Sequence, residues 1–178
     1  MTKIIKIAII GLGQVGNYLY RELNLKKKNI EIKSGKKIQI VALSAKNINK
    51  KRKYKIDKKI FYTDPIKIIK KIKPDILFEV IGQSDGISKK VVETALRNQI
   101  HVITPNKALI SKHGDYLSKL AEDNNVNLEF EASVAGGIPI IRTIKEGLAT
   151  NKISKVYGIL NGTTNYILSE MRNSKDTF

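Results

Sequence analysis

A glycine-rich segment directly behind an apolar run constrains the fold of this chain more than any other feature. Residues 4–10 are apolar except for one lysine, and residues 11–16 read G-x-G-x-x-G before apolar residues at helical spacing begin. In a strand-turn-helix unit these glycines permit a tight turn, close approach of a pyrophosphate and close packing of the helix, whose N-terminus attracts phosphate. We predict a dinucleotide site. Its contacts in the turn are Gly11, Leu12, Gly13, Gln14, Val15 and Gly16.

Apolar runs and amphipathic stretches alternate along most of the chain. The predicted strands are residues 4–10, 38–43, 75–81, 101–104 and 127–131. The predicted helices are the one after the glycine turn and those at residues 65–72, 84–98 and 111–124, with Ser84 as a candidate cap. Residues 26–37 and 44–59 show no apolar period and are predicted to be a connection and a loop. The alternation implies right-handed crossovers and a Rossmann-type, doubly wound, mostly parallel sheet in the α/β class.

The pattern changes after Gly147. A strand is predicted at residues 152–160 and a helix at 165–171. We therefore expect a dinucleotide-binding domain over residues 1–147 and the start of an α+β substrate domain over residues 148–178. Residue 178 falls before this second domain can close a core, so we expect the sequence to be the N-terminal part of a longer enzyme.

Charge and composition leave two classes of function open. The net charge is +17, and residues 1–73 hold 21 of the 33 basic residues and 4 of the 16 acidic ones. The excess has two explanations: a general bias toward lysine, isoleucine and asparagine, or a basic nucleic-acid-binding surface at residues 26–59. That surface has Tyr54 as its one aromatic residue and carries no helix-turn-helix, zinc or RNP signature, so no specific nucleic-acid partner is expected.

Cysteine is absent and only two histidines are present. These counts exclude a disulfide framework and a thiolate nucleophile, and they argue against a histidine-rich metal site. No apolar stretch approaches the roughly 20 residues that span a bilayer, so no membrane partner is expected. The prediction that follows is a cytoplasmic protein.

The end of the second predicted strand indicates which dinucleotide binds. An acidic residue there holds the ribose of NAD, whereas a basic residue can hold the additional phosphate of NADP. This chain has Lys46 there, with Lys50, Lys51 and Arg52 close behind and no carboxylate before Asp57. The pattern favours NADP, with NAD as the alternative.

Three later segments carry a family resemblance. They read VITPNK at residues 102–107, FEASVAGGIPI at 130–140 and GILNGTTNYIL at 158–168. In this order behind the glycine turn they resemble homoserine dehydrogenase over essentially the whole chain. The resemblance implies NAD(P)H-dependent interconversion of L-aspartate 4-semialdehyde and L-homoserine, a step toward threonine and methionine, and a homodimer in the complete enzyme.

The resemblance also implies roles for particular residues. Lys107 matches the catalytic lysine beside the nicotinamide and the substrate, where a cation stabilises the developing alkoxide. Gly82 and Ser84 match the loop that passes the cofactor. Gly162 and Thr163 match the residues next to the bound amino-acid substrate.

A monovalent cation, in this family commonly sodium, is a further implication. By position its ligands would be the Glu131 carboxylate and the backbone carbonyls of Val134, Gly136 and Ile138. A hard cation prefers such oxygen ligands.

The chain departs from the family in one respect. The family's proton-donor lysine lies beyond the NGTTNYI motif, and the lysine and carboxylates that follow Tyr166 here, namely Glu170, Lys175 and Asp176, stand in the wrong motif. We therefore expect the 178 residues alone to bind NADP(H) without turning over homoserine. A dehydrogenase of another amino-acid semialdehyde and a redox-inactive sensor are the remaining alternatives.

Overall fold

The computed structural model of the chain describes residues 4–134, 136–158 and 161–174. Within them six strands form one sheet. The strands are β1 (Ile4–Ile10), β2 (Lys37–Ser44), β3 (Phe61–Tyr62), β4 (Ile76–Glu79), β5 (His101–Ile103) and β6 (Leu128–Glu129). All neighbouring pairs are parallel, in the order β3-β2-β1-β4-β5-β6.

Helices connect the strands. In the described residues they are α1 (Gln14–Leu25), α2 (Lys27–Ser34), α3 (Pro65–Lys67), α4 (Ile87–Arg97), α5 (Lys107–Asp123), α6 (Glu131–Val134), α7 (Ile140–Arg142) and α8 (Gly162–Ser174). A 3-10 turn covers Lys58–Ile60, and π-helical turns extend α3 over Ile68–Ile72 and α7 over Thr143–Gly147.

The central strand β1 divides the core in two. Its side chains alternate in direction, so Ile7 and Ile9 pack with Leu43 on one face, while Ala8 and Ile10 pack with the α4 and α5 side on the other. All four β1 residues are buried. A strand buried on both faces has to be apolar throughout, which explains the run of isoleucine in the sequence.

The order of the strands places a switch point beside β1. The chain moves outward from β1 through β2 to β3, and then returns to the other side of β1 with β4, β5 and β6. Loops that follow β1 and β4 therefore diverge at the carboxyl edge and leave a crevice where such sheets bind ligands. The predicted Rossmann-type sheet is confirmed.

The structure corrects the connection that was predicted at residues 26–37. Residues Lys27–Ser34 form helix α2, which ends at Gly35 in the left-handed conformation with a φ of 65°. Ile30 and Ile32 lie two residues apart, so the segment shows no helical apolar period. The glycine at the C-terminal cap was the signal that the pattern analysis missed.

Five other elements differ from prediction. Strand β3 follows the predicted loop and is too short to show a period. Helix α4 begins after Gly86 rather than at Ser84, and α5 begins at Lys107 rather than at residue 111. Residues 152–158 of the strand predicted at 152–160 form no regular structure, and 159 and 160 lie outside the described residues. Helix α8 begins at Gly162 rather than at residue 165.

The close packing of α1 against the sheet yields a test. A Cβ added at Gly16 would overlap the carbonyl oxygen of Gly11 and lie 2.9 Å from Cγ2 of Val80, whereas one added at Gly13 meets nothing within 4 Å. We expect Gly16→Ala to lower the free energy of unfolding by about 3 kcal/mol and Gly13→Ala by less than about 1 kcal/mol. Urea unfolding measures both, and equal losses would contradict the packing described.

Candidate functional site

The glycine turn forms the floor of the candidate site. Gly11 adopts a φ of 104°, and its N–H donates to the Ser44 carbonyl at 2.8 Å. A Cβ at this position would lie 2.5 Å from the Val80 carbonyl oxygen. Only glycine fits here, because the turn must pass directly between the ends of β2 and β4.

The turn leads into the N-terminus of α1. Gly13 is the N-cap residue in an extended conformation, and no side chain caps the first turn of the helix. Gln14 and Val15 are exposed. The uncapped N–H groups and the open space at Gly13 together fit a pyrophosphate lying against the backbone.

A cavity of about 450 Å3 opens above this turn at the carboxyl edge of the sheet. It extends between the glycine turn and the loops that follow β2 and β4. Its lining includes Gly11, Leu12, Gly13, Lys46, Lys50 and Gln83. A cavity of this size and position fits part of a dinucleotide.

Arg52 fixes the loop that borders the cavity. Its guanidinium donates to the carbonyls of Asn47 at 2.7 Å, Ile48 and Lys50 at 3.0 Å, and Leu12 at 3.3 Å. These bonds tie the loop to the glycine turn and occupy the guanidinium. Of the basic residues predicted to meet the additional phosphate, Lys46 and Lys50 remain as exposed ammonium groups on the cavity.

Asn17 ties the same loop to α1. Its side chain donates to the Tyr54 carbonyl and accepts from the Tyr54 N–H, both at 2.8 Å. Because Asn17 is buried, these two bonds are protected from water. The Tyr54 ring also contacts the Arg21 guanidinium at 4.9 Å and the Tyr18 ring at 6.2 Å. The single aromatic residue of the basic segment thus packs against α1.

The loop after β4 carries Gly82 and Ser84. Ser84 does not cap α4; its hydroxyl donates to Asp85 at 2.7 Å. Asp85 also pairs with the Lys112 ammonium at 2.7 Å and with Nε2 of His113 at 2.9 Å. The Lys112 ammonium, followed by His113, holds the pKa of the Asp85 carboxyl well below its usual range. The loop after β4 is thereby attached to α5.

Lys107 is the first residue of α5 and is exposed. The described lining of the cavity reaches Gln83 but not Lys107. Gln83 and Lys107 are connected through Asn106, which precedes Lys107 and whose side-chain amide donates to the Gln83 carbonyl at 2.8 Å. Lys107 therefore stands beside the loop that follows β4.

Glu79 is a residue that pattern analysis did not select. It ends β4, is fully buried, and accepts hydrogen bonds from Ile81, Ser88, Thr104 and Asn106. An acidic residue inside an apolar strand run was the available signal, because a buried carboxylate requires several donors.

The candidate cation ligands lie beyond β6. The Glu131 carboxylate accepts from the N–H groups of Ile141 at 3.0 Å and Arg142 at 2.8 Å, so it caps the start of α7. Val134 ends α6, while Gly136 and Ile138 lie in an exposed turn. The four candidate ligand atoms are all oxygens, which suits a hard monovalent cation, although the Ile138 carbonyl already accepts from Ile140 at 2.8 Å.

Gly162 and Thr163 form the first turn of α8. Asn161 caps this helix, since its side-chain oxygen accepts from the Thr164 N–H at 3.0 Å. No described residue of α8 is buried. The two candidate substrate residues therefore lie at an exposed helix start.

The fold and its glycine turn define a dinucleotide-binding protein. Residues 11–131 match the family model described as the NAD-binding domain of homoserine dehydrogenase, and residues 139–178 match the model described as homoserine dehydrogenase. The chain belongs to the homoserine dehydrogenase family and carries its nicotinamide-dinucleotide-binding domain. Among the described residues, no helix has both the length and the apolar character needed to cross a membrane.

Individual relatives agree with the family model. The homoserine dehydrogenase of Neisseria gonorrhoeae is 39% identical over 99% of this chain. The crystal structure of the Thiobacillus denitrificans homoserine dehydrogenase superposes on 98% of this chain and 40% of its own, with a TM-score of 0.83 and 34% identity. A hyperthermophilic archaeal homoserine dehydrogenase in complex with NADPH gives a TM-score of 0.74 at 25% identity, covering 98% of this chain and 58% of its own. The chain spans about 40% of the length of the curated relatives it matches.

The open space at Gly13 makes the pyrophosphate contact testable. We expect the folded Gly13→Ala variant to bind NADPH at least about 10-fold more weakly than wild type, because its methyl group occupies the space above the turn. Fluorescence titration of NADPH measures this affinity. Gly147→Ala is the control and should bind as wild type does. Unchanged affinity in Gly13→Ala would place the pyrophosphate elsewhere.

The low pKa of the Asp85 carboxyl predicts a pH dependence of stability. Its folded pKa lies below the unfolded value of about 4, so its contribution is present above pH 4 and is lost as the pH falls through the folded value. We expect the difference in urea midpoint between wild type and Asp85→Asn to shrink below about pH 4. Lys112→Gln removes the largest cause of the low Asp85 pKa, so in that background the difference in urea midpoint should depend less on pH. A difference that is independent of pH would contradict this account.

Proposed function

We propose that this protein binds NADP(H) across the switch point between β1 and β4 and acts in a homoserine dehydrogenase that interconverts L-aspartate 4-semialdehyde and L-homoserine. The observation that carries the proposal is the glycine turn opening onto the cavity at the carboxyl edge, in a chain of this family. The pyrophosphate would lie over Gly13 and the first turn of α1. The loop at Gly82 and Ser84 would border the nicotinamide side.

The bound nicotinamide supplies a hydride for the aldehyde carbon of the substrate. Lys107 provides a positive charge for the carbonyl oxygen as negative charge develops on it. Gly162 and Thr163 would contribute N–H and hydroxyl groups to the substrate carboxylate, because a helix start attracts anions. The proton that completes the alcohol is expected from a lysine outside this sequence.

A monovalent cation, sodium, belongs to the proposal. Its ligands are the Glu131 carboxylate and the carbonyls of Val134, Gly136 and Ile138. A carboxylate has about four lone-pair sites, so Glu131 can bind a cation while it caps α7. The cation would hold the turn between α6 and α7 in place.

The groups on the cavity support the proposed preference for NADP. Lys46 and Lys50 offer two exposed ammonium groups, whereas Arg52 is engaged by backbone carbonyls. We expect Lys46→Ala to raise the KM for NADPH about 10-fold and to leave the KM for NADH unchanged, because NADH lacks the additional phosphate. Lys28→Ala, on α2, is the charge-matched control. A wild-type enzyme that prefers NADH severalfold would overturn the assignment.

The remaining proposals concern the whole protein. We also propose a domain division at residue 147, a cytoplasmic location and a homodimer of the complete enzyme, on the basis of the sequence and the family resemblance. Exposed apolar side chains on the C-terminal part, such as Ile138, Val156 and Tyr166, support further packing partners there. Sedimentation of the complete gene product measures the oligomeric state.

Homoserine oxidation by the complete gene product, followed as NADPH formation, tests the function. Lys107→Met should lower kcat about 100-fold or more while NADPH affinity stays within about 3-fold, because the charge is needed chiefly as the alkoxide develops. Lys119→Met, on the same helix, should match wild type. The 178-residue chain alone should bind NADPH without turnover, and robust activity from it would refute the assignment of the proton donor.

A further inference from the structure

Glu79 is the most deeply buried charged residue among the described residues, with no exposed surface. Its Oε1 accepts from the Ile81 N–H at 2.8 Å, the Ser88 hydroxyl at 3.2 Å and the Asn106 side-chain amide at 3.4 Å. Its Oε2 accepts from the Thr104 hydroxyl at 2.6 Å. These partners are all neutral donors and come from three parts of the fold: the loop after β4, helix α4, and the segment between β5 and α5. They satisfy a buried carboxylate that would otherwise be costly.

The hydrogen bonds have a fixed direction. The backbone N–H of Asn106 donates to the Thr104 hydroxyl oxygen at 3.0 Å, so the Thr104 O–H is directed at Glu79. The Asn106 side chain is oriented as well, because its amide nitrogen donates toward Gln83 while its oxygen accepts from the Leu109 N–H at 3.1 Å. Thr104 and Asn106 thus each have one orientation in which all these hydrogen bonds form, and in that orientation both donate to the Glu79 carboxylate.

The position of the Glu79 carboxylate also favours this arrangement of hydrogen bonds. Ser88 lies in the first turn of α4, and Asn106 is the N-cap residue of α5. Residues at the N-termini of two helices thus bond to the same buried carboxylate, and a helix N-terminus favours a nearby negative charge. The same charge supports the start of α5, which carries Lys107, and the loop at Ile81 and Gln83 that borders the cofactor cavity.

We propose that Glu79 is a positioning residue that holds Lys107 and the cofactor loop at residues 81–84 in a common geometry for hydride transfer. It acts through Thr104 and Asn106 and touches neither substrate nor cofactor. The inference rests on the proposed function, since Lys107 must act in that reaction. A displacement of about 1 Å at a reacting group can lower the rate about 100-fold, so we expect loss of this hydrogen-bond network to lower kcat.

The test uses steady-state kinetics of the complete gene product with homoserine and NADP+. Glu79→Gln replaces one acceptor oxygen with a donor that faces other donors, and Thr104→Val removes the intervening hydroxyl without changing volume. We expect each to lower kcat about 100-fold with the KM for homoserine within about 3-fold. Thr104→Ser keeps the hydroxyl and should restore kcat to within about 3-fold of wild type. The double variant Glu79→Gln/Thr104→Val should lose no more than Glu79→Gln alone.

Val91→Ala controls for stability, because Val91 is equally buried in α4 but has no polar link to the network. It should lower the urea midpoint and leave kcat per folded enzyme unchanged. If Glu79→Gln fails to fold, the Thr104→Val and Thr104→Ser pair decides alone. Wild-type kcat in Thr104→Val, or an equal loss of kcat in Val91→Ala, would overturn the inference. If the wild-type protein does not oxidise homoserine, that result contradicts the proposed function. The inference about Glu79 is tested separately, by comparing the variants with an active wild type.

Discussion

The contact of the glycine turn with the end of β4 is the constraint on which the site depends. Gly11 passes against the Val80 carbonyl, and Gly16 brings α1 onto both Gly11 and Val80. Without side chains at these two positions, the start of α1 lies directly over the switch point of the sheet. The uncapped N–H groups of the helix and the crevice between the diverging loops then share one location, which is what a pyrophosphate requires.

Two buried polar side chains extend this constraint to the rest of the site. On one side, Asn17 attaches the long basic loop to α1 through the backbone of Tyr54. On the other side, Glu79 connects the loop after β4 with the start of α5. The cavity therefore has a fixed wall on each side. The phosphate end and the reacting end of a dinucleotide would meet different chemistry, with exposed lysines at one end and an ordered hydrogen-bond network at the other.

Local pattern and composition are sufficient for five of the six described strands and for the glycine turn. Residues 7–10 of β1 are apolar because both faces of that part of the strand are buried, and the glycines follow from steric needs that are visible in sequence. Helix α2 cannot be predicted from periodicity, because its two isoleucines lie two residues apart and show no helical period. Strand β3 cannot be predicted either, because two residues are too few to show an alternating pattern.

The parts of the site that sequence could not supply are those that folding brings together. Glu79 bonds to Thr104 and Asn106 across separations of 25 and 27 residues, and no spacing rule connects them. Arg52 is a residue type that commonly binds phosphate, yet its guanidinium donates to backbone carbonyls, and the sequence does not predict those contacts. The family resemblance named Lys107, but the structure identified what surrounds it.

Amide chemical shifts of the 178-residue chain, recorded during titration with NADPH, test the central claim most directly. The account predicts that the largest changes fall on Gly13, Gln14 and Val15, with smaller ones at Lys46 and in the loop at residues 82–84. Changes confined to α2 or to the lysines of residues 53–59, with the glycine turn unaffected, would contradict it and would indicate general attraction of an anion to a basic surface.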